Sequence, residues 1–252
     1  MVLVTGGVRR LGAAIATELA AAGWAVALHT RAVTPEAEAA AQTLARQHAT
    51  RVALLAADLA DDRAVDGLLA RVVQALGRVD AVVNNASRFT YDTALDANAQ
   101  TMHAHWRVNV AAPVRLAQTL AAHLAERNAQ GCVVNLLDQK LWNPNPDYFS
   151  YTLSKAALRE ATVLQAQALA PRVRLVGVAP GVTLPSGGMS QAEFDHAHRM
   201  TPLGASSTPA DVARTVRFAL ESPAITGTTL LVDGGQHLQA QGRDVWFLAR
   251  PA

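Results

Sequence analysis

The sequence predicts an α/β protein, a Rossmann-type doubly wound parallel sheet of about seven strands with helices on both faces. Three observations lead there. Short, nearly continuous apolar runs alternate with helical stretches along the chain, the pattern of parallel strands buried on both faces. A glycine-bearing turn follows the first apolar run and opens an alanine-rich helix. The 252 residues, 50% hydrophobic, can bury one full core and show no linker, so a single domain spanning 1–252 is expected.

The elements follow in order. Residues 1–4 read as a short buried strand, Thr5-Gly6-Gly7-Val8-Arg9-Arg10-Leu11-Gly12 as the turn, and 13–22 as the helix it opens. Small residues in such a turn let a pyrophosphate approach the backbone, while the helix amino terminus offers free N–H groups and positive partial charge. Apolar strands are expected at 24–29, 51–56, 79–83, 132–137, 173–178 and 228–232, and helices at 35–48, 61–76, 99–126, 148–170 and 209–221. Residues 180–207 are rich in Gly, Pro and Ser. A loop of this length beside a compact sheet reads as a binding lid, at about 183–207, with a short helix of its own at 191–200.

Composition excludes several classes. A formal net charge of +2, from 22 basic against 20 acidic residues, is too small to argue for nucleic acid. Cys132, the single cysteine, sits in an apolar run, where a buried small side chain is the simpler role. The histidines are scattered, and His103 and His105 point to different helix faces, so no metal site is expected and they read as surface residues. No apolar run is long enough to cross a bilayer, and a strand begins at Met1. A cytoplasmic protein without membrane contact is expected.

The chemistry centres on Tyr151 and Lys155. At i and i+4 they share one helix face, where an ammonium beside a phenol makes the proton easier to lose or to pass on. Taken with the glycine turn, Asp58-Leu59 after the third strand, Asn84-Asn85-Ala86 after the fourth, Asn109 in the long helix and Pro180-Gly181 after the sixth, this pair resembles the short-chain dehydrogenase/reductase family from Thr5 to Gly235. The resemblance implies a dinucleotide site at Gly6, Leu11 and Gly12. It places Asp58 and Leu59 toward the adenine, Asn85 and Ala86 along the cofactor, and Pro180 and Gly181 by the nicotinamide. Asn109, Tyr151 and Lys155 would be catalytic, Lys155 bonding the nicotinamide ribose.

Two departures narrow the resemblance. Arg10 replaces the middle glycine of the family's T-G-x-x-x-G-x-G turn, and Asp138 replaces the serine thirteen residues before the tyrosine. Both are similar to the pteridine reductase branch, as is Asn85-Ala86-Ser87 followed two residues later by Phe89. That likeness implies that Arg10 contacts cofactor phosphate and substrate, that Ser87 lies near the pterin and nicotinamide, and that Phe89 forms one wall of an aromatic sandwich. Physical chemistry agrees. A flat heterocycle needs an aromatic wall to orient it, and offset stacking supplies one. An ionised Asp138 would repel the oxyanion of a reduced carbonyl, whereas a carboxyl group near a phenol can help deliver a proton to nitrogen.

Cofactor choice is read after the second strand. His29-Thr30-Arg31 carries no acid before Glu36, which favours NADPH, with Arg31 as the clamp for the extra phosphate, helped by Arg9 and His29. The expectation is an NADPH-dependent reductase of a pterin or dihydropterin, with dihydrofolate as a further candidate. A reductase of another carbonyl or imine is the alternative within the class. A non-catalytic NADP(H)-binding sensor is the alternative outside it, although a sensor has no need of a proton relay. Lys140 and Trp142 are candidates for the pocket lining or for solvent and core. By resemblance the chain forms a homotetramer or homodimer through the long helices and last strand, and the apolar Val245-Trp246-Phe247-Leu248 is read as a cap on a neighbouring subunit.

Overall fold

The computed structural model describes residues 1–186 and 188–250. Strands β1 (Val2–Val4), β2 (Val26–Thr30), β3 (Val52–Ala56), β4 (Ala81–Asn84), β5 (Gly131–Leu136), β6 (Val173–Pro180) and β7 (Thr228–Val232) form one sheet in the order β3-β2-β1-β4-β5-β6-β7. All neighbouring pairs are parallel. The helices are α1 (Arg10–Ala21), α2 (Pro35–His48), α3 (Asp62–Leu76), α4 (Ala99–Trp106), α5 (Ala112–Glu126), α6 (Phe149–Ala168), α7 (Gln191–Arg199), α8 (Pro209–Glu221) and α9 (Val245–Leu248).

The strands are mostly apolar because both faces are covered. Successive side chains point to opposite sides. Val2 and Val4 join Ile15 and Leu19 of α1 and Val216 of α8 in one core layer, while Leu3 joins Leu68 and Val72 of α3 and Leu116 and Leu120 of α5 in the other. The order of strands reverses between β1 and β4, and ligands of open α/β sheets bind in the crevice beyond the carboxyl ends at such a point.

The long helix expected at 99–126 is broken. One turn of π-helix, Arg107–Ala111, separates α4 from α5, and it carries Asn109. Pro113 gives the physical reason: it has no N–H to offer the Asn109 carbonyl, so the α-helical ladder cannot run through this point. The helix expected at 148–170 begins at Phe149, with Tyr148 in a left-handed conformation before it at φ 53°. Among the described residues, no helix is long and apolar enough to cross a membrane.

Candidate active site

The turn after β1 is tied to β4. The Thr5 N–H donates to the Val83 carbonyl, and the Thr5 hydroxyl oxygen accepts from the N–H groups of Asn85 and Ala86, each bond measuring 3.0 Å. Asn85 Nδ2 donates in turn to the carbonyls of Thr5 (2.9 Å) and Gly6 (3.3 Å). Gly6 is left-handed at φ 61°, and a Cβ on Gly12 would lie 2.1 Å from the Gly6 carbonyl oxygen, so α1 reaches the turn only because Gly12 has no side chain. Arg10 shares the left-handed conformation, and its Nη2 donates to the Pro185 carbonyl at 2.5 Å. It thereby joins the turn to the lid segment.

Helices α2, α3, α7 and α8 are capped by the side chains of Thr34, Asp61, Ser190 and Thr208. Helix α1 has neither a side-chain cap nor an acid in its first turn. Its opening N–H groups remain available to an anion, which is what a pyrophosphate cradle requires.

His29 is corrected as a phosphate clamp. It is 3% exposed, and both ring nitrogens are engaged, Nδ1 accepting from the Gly6 N–H (3.1 Å) and Nε2 meeting the Ala57 carbonyl (3.0 Å). Burial holds its pKa below the usual histidine range. The residue is a neutral brace beneath the glycine turn. Arg9 and Arg31 are exposed, as is Asp58, whose carboxylate accepts from the Ala60 N–H at 2.9 Å, while Leu59 is buried.

Helix α6 places Tyr151 and Lys155 one turn apart. The Tyr151 hydroxyl donates to Asp138 Oδ2 at 2.9 Å, and Asp138 Oδ1 accepts from the Lys140 N–H at 2.9 Å, which holds the carboxylate at the end of β5. Burial pushes the Asp138 carboxyl above its usual range. The Tyr151 phenol is raised well above its ordinary value by burial, and then by the charge of Asp138. This corrects the expectation of an acidified phenol: Tyr151 keeps its proton. Lys155 is brought down to about 8 by burial, and its Nζ donates to the Leu136 carbonyl at 2.7 Å.

Asn109 does not reach the phenol. Its Oδ1 accepts from the Arg88 N–H (2.7 Å) and the Ser87 hydroxyl (3.1 Å), and its Nδ2 donates to the Arg88 carbonyl (3.0 Å) and Ser154 Oγ (2.9 Å). Ser154 passes its own hydroxyl hydrogen to the Tyr151 carbonyl at 2.6 Å. The π turn therefore fastens the strand-end loop to the start of α6.

Arg10, Leu11, Asn85, Ser87, Phe89, Asp138, Tyr151, Lys155, Pro180 and Gly181 meet around one cavity of about 270 Å³. Arg9, His29, Arg31, Asp58, Leu59 and Ala86 do not line it. Phe89, 41% exposed, stacks on Tyr148 with ring centres 4.2 Å apart and planes at 16°, and it meets Tyr151 edge-on at 4.7 Å. Tyr148 lines the cavity and is missed by sequence reasoning, because its left-handed conformation just before α6, which aims the ring at Phe89, leaves no periodic signal.

Trp142 lies outside this lining, with the Arg159 guanidinium over its ring at 5.7 Å. Lys140 does line it, but is buried with its Nζ donating to the Asp147 carbonyl at 2.5 Å. His105 is fully buried and not at the surface, its ring nitrogens meeting the Thr90 N–H and the Thr101 carbonyl. Among the described residues no metal-binding group of His, Cys, Asp and Glu forms.

A glycine turn at a topological switch point, with a Tyr–Lys pair on the neighbouring helix, defines a dinucleotide-dependent oxidoreductase. Residues 7–237 match a family model described as enoyl-(acyl carrier protein) reductase. The chain belongs to the short-chain dehydrogenase/reductase family. It is similar to FolM alternative dihydrofolate reductase 1 from Brucella suis, solved in complex with NADP, at 40% identity and a TM-score of 0.90, covering 95% of this chain and 96% of that one. Pteridine reductase 1 of Leishmania tarentolae is 31% identical over 94% of this chain and 96% of its own length. An uncharacterized oxidoreductase of Mycobacterium tuberculosis is 34% identical over 92% of this chain and 90% of its own.

Proposed function

We propose that this protein is an NADPH-dependent reductase of a pterin or dihydropterin, with Tyr151 as the proton donor. The observation that carries the reading is the hydrogen bond from Tyr151 to Asp138 in a cavity walled by Phe89. A ketone reductase needs a neutral donor to hold an oxyanion, and a carboxylate here opposes that charge. Protonation of a ring nitrogen instead suits a phenol that keeps its proton beside a carboxyl group whose affinity for one is raised. Similarity to a pteridine reductase and to a FolM-type dihydrofolate reductase supports the same substrate class.

The residues present fit the cofactor. The uncapped start of α1 at Arg10, Leu11 and Gly12 would hold the pyrophosphate, and the left-handed Gly6 leaves the approach clear. Arg31, with Arg9, would hold the extra phosphate, and Asp58, Leu59 and Ala86 would lie along the adenine half. Lys155 would bond the nicotinamide ribose, between Asn85 and Pro180-Gly181. NADPH supplies the hydride when bound. Tyr151 gives its proton to the substrate nitrogen, and Asp138 is placed to return one to the phenolate. Phe89 holds the ring plane, while Arg10 and Ser87 orient its edge.

Exposed Met102 and Trp106 on α4, and Phe218 on α8 beside the edge strand β7, support assembly as a homotetramer or homodimer. The place of action is the cytoplasm. Oxidation of NADPH measured against oxidised pterins, dihydropterins, dihydrofolate and simple ketones tests the reading. Turnover of ketones alone would overturn it.

A further inference from the structure

One side of the cavity is closed by the C-terminal segment of this same chain. Asp244 and Val245 line it, Val245 packs with Ala197 of α7, and Arg250 lies over the Trp246 ring at 4.5 Å. The segment read from sequence as a cap on a neighbour is folded against its own lid. Its anchor is Asp147, 96 positions earlier than Arg243. The Asp147 side chain is 3% exposed. Its carboxylate accepts from Arg243 Nε (2.8 Å) and Nη2 (2.9 Å), from the Asp244 N–H (2.7 Å) and from the Tyr91 hydroxyl (3.3 Å). A two-point guanidinium–carboxylate contact fixes orientation as well as distance.

Each member of this pair is followed in the chain by a cavity wall. Asp244, after Arg243, faces Lys140 at 3.5 Å, and Tyr148, after Asp147, stacks on Phe89. An anchor that served stability alone has no need of both neighbours in the cavity. We propose that Arg243 and Asp147 are positioning residues: their pairing sets the shape of the substrate cavity through Asp244 and Lys140 on one side and Tyr148 and Phe89 on the other.

This proposal rests on the pterin reading only for the choice of substrate. The test compares full-length wild type with Arg243→Ala, Arg243→Lys and Asp147→Asn, by steady-state kinetics on a dihydropterin, dihydrofolate and a simple ketone. Hydrogen exchange over residues 240–250 without substrate reads the latch itself. In Arg243→Ala, the KM for whichever substrate the wild type reduces should rise about tenfold, while the NADPH KM and kcat stay within about threefold. Arg243→Lys should recover part of the loss, since it restores the charge but not the planar fork. Exchange at the Asp244 amide should quicken in Arg243→Ala and Asp147→Asn. Unchanged exchange overturns the latch, and quicker exchange with an unchanged substrate KM reduces it to a tether. A wild type active on the ketone alone sinks the pterin reading and leaves the same KM comparison to judge the latch.

Discussion

The Tyr151 hydroxyl donates to Asp138 Oδ2 at 2.9 Å, joining a buried phenol to a half-buried carboxyl group. The two act on each other with opposite sign: the donated hydrogen bond favours the Asp138 carboxylate, and that charge disfavours the Tyr151 phenolate. Burial raises the carboxyl first, and the carboxylate charge then adds to burial in raising the phenol. The Tyr151 proton is therefore held on the phenol, where a serine in the place of Asp138 would bring no charge to hold it.

Asp138→Asn should leave NADPH binding intact and cut single-turnover hydride transfer to a dihydropterin by roughly 100-fold or more, the scale of a lost acid–base partner. Asp138→Ser should fail on the same substrate yet gain activity on simple ketones, because a hydroxyl can hold an oxyanion. Near wild-type transfer in Asp138→Asn would make the residue structural.

Phe89→Ala should raise the pterin KM by about tenfold through lost stacking, with the NADPH KM unchanged. Its ring is 41% exposed, so the thermal midpoint should move little. Kinetics and melting on one sample separate the outcomes, and a large loss of stability would assign Phe89 to the core.

NADPH should bind more tightly than NADH, and Arg31→Ala should narrow that preference by about 1–3 kcal/mol, the worth of a charge-assisted contact. Titration of both cofactors decides it. Equal affinities in the wild type would sink the assignment, and an unchanged preference in the variant would move the clamp to Arg9.

The pH profile should report Lys155. Its ammonium gives up its proton at about 8, against the ordinary 10.5, because burial penalises the charge. The value of kcat/KM for NADPH should fall as pH rises through about 8 if the charged form binds the ribose. Stability should move the other way. Between about 8 and 10.5 the unfolded chain holds more protons than the folded one at this site, so its contribution rises with pH. A flat kcat/KM profile from pH 7 to 10 would remove the ammonium from binding.

The strands were legible because burial on both faces leaves few polar residues to confuse the pattern, and the glycine turn because Gly12 meets the Gly6 carbonyl at a distance no side chain allows. Asp138, Tyr151 and Lys155 were legible because strand end and helix lie close in sequence. His29 was misread since a polar residue at a strand end looks the same whether it faces solvent or braces a turn. The break at Arg107–Ala111 was signalled by Pro113, whose missing N–H went unweighed in an otherwise helical stretch. The Arg243–Asp147 contact joins residues 96 apart, and no local pattern encodes such a pairing.

That break makes length, more than residue type, the sensitive quantity between α4 and α5. A π turn amounts to one residue inserted into an α-helix. The wider turn takes up that residue locally, so the helix beyond the break keeps the face it turns to the sheet. Deleting one position from Arg107–Ala111 would leave Leu116, Leu120 and Leu124 facing the core but cost Asn109 its bonds to Ser87, Arg88 and Ser154 at one stroke. The chain carries this surplus residue at the one place where it meets the cavity loop, letting one helix serve that loop at its start and the sheet at its end.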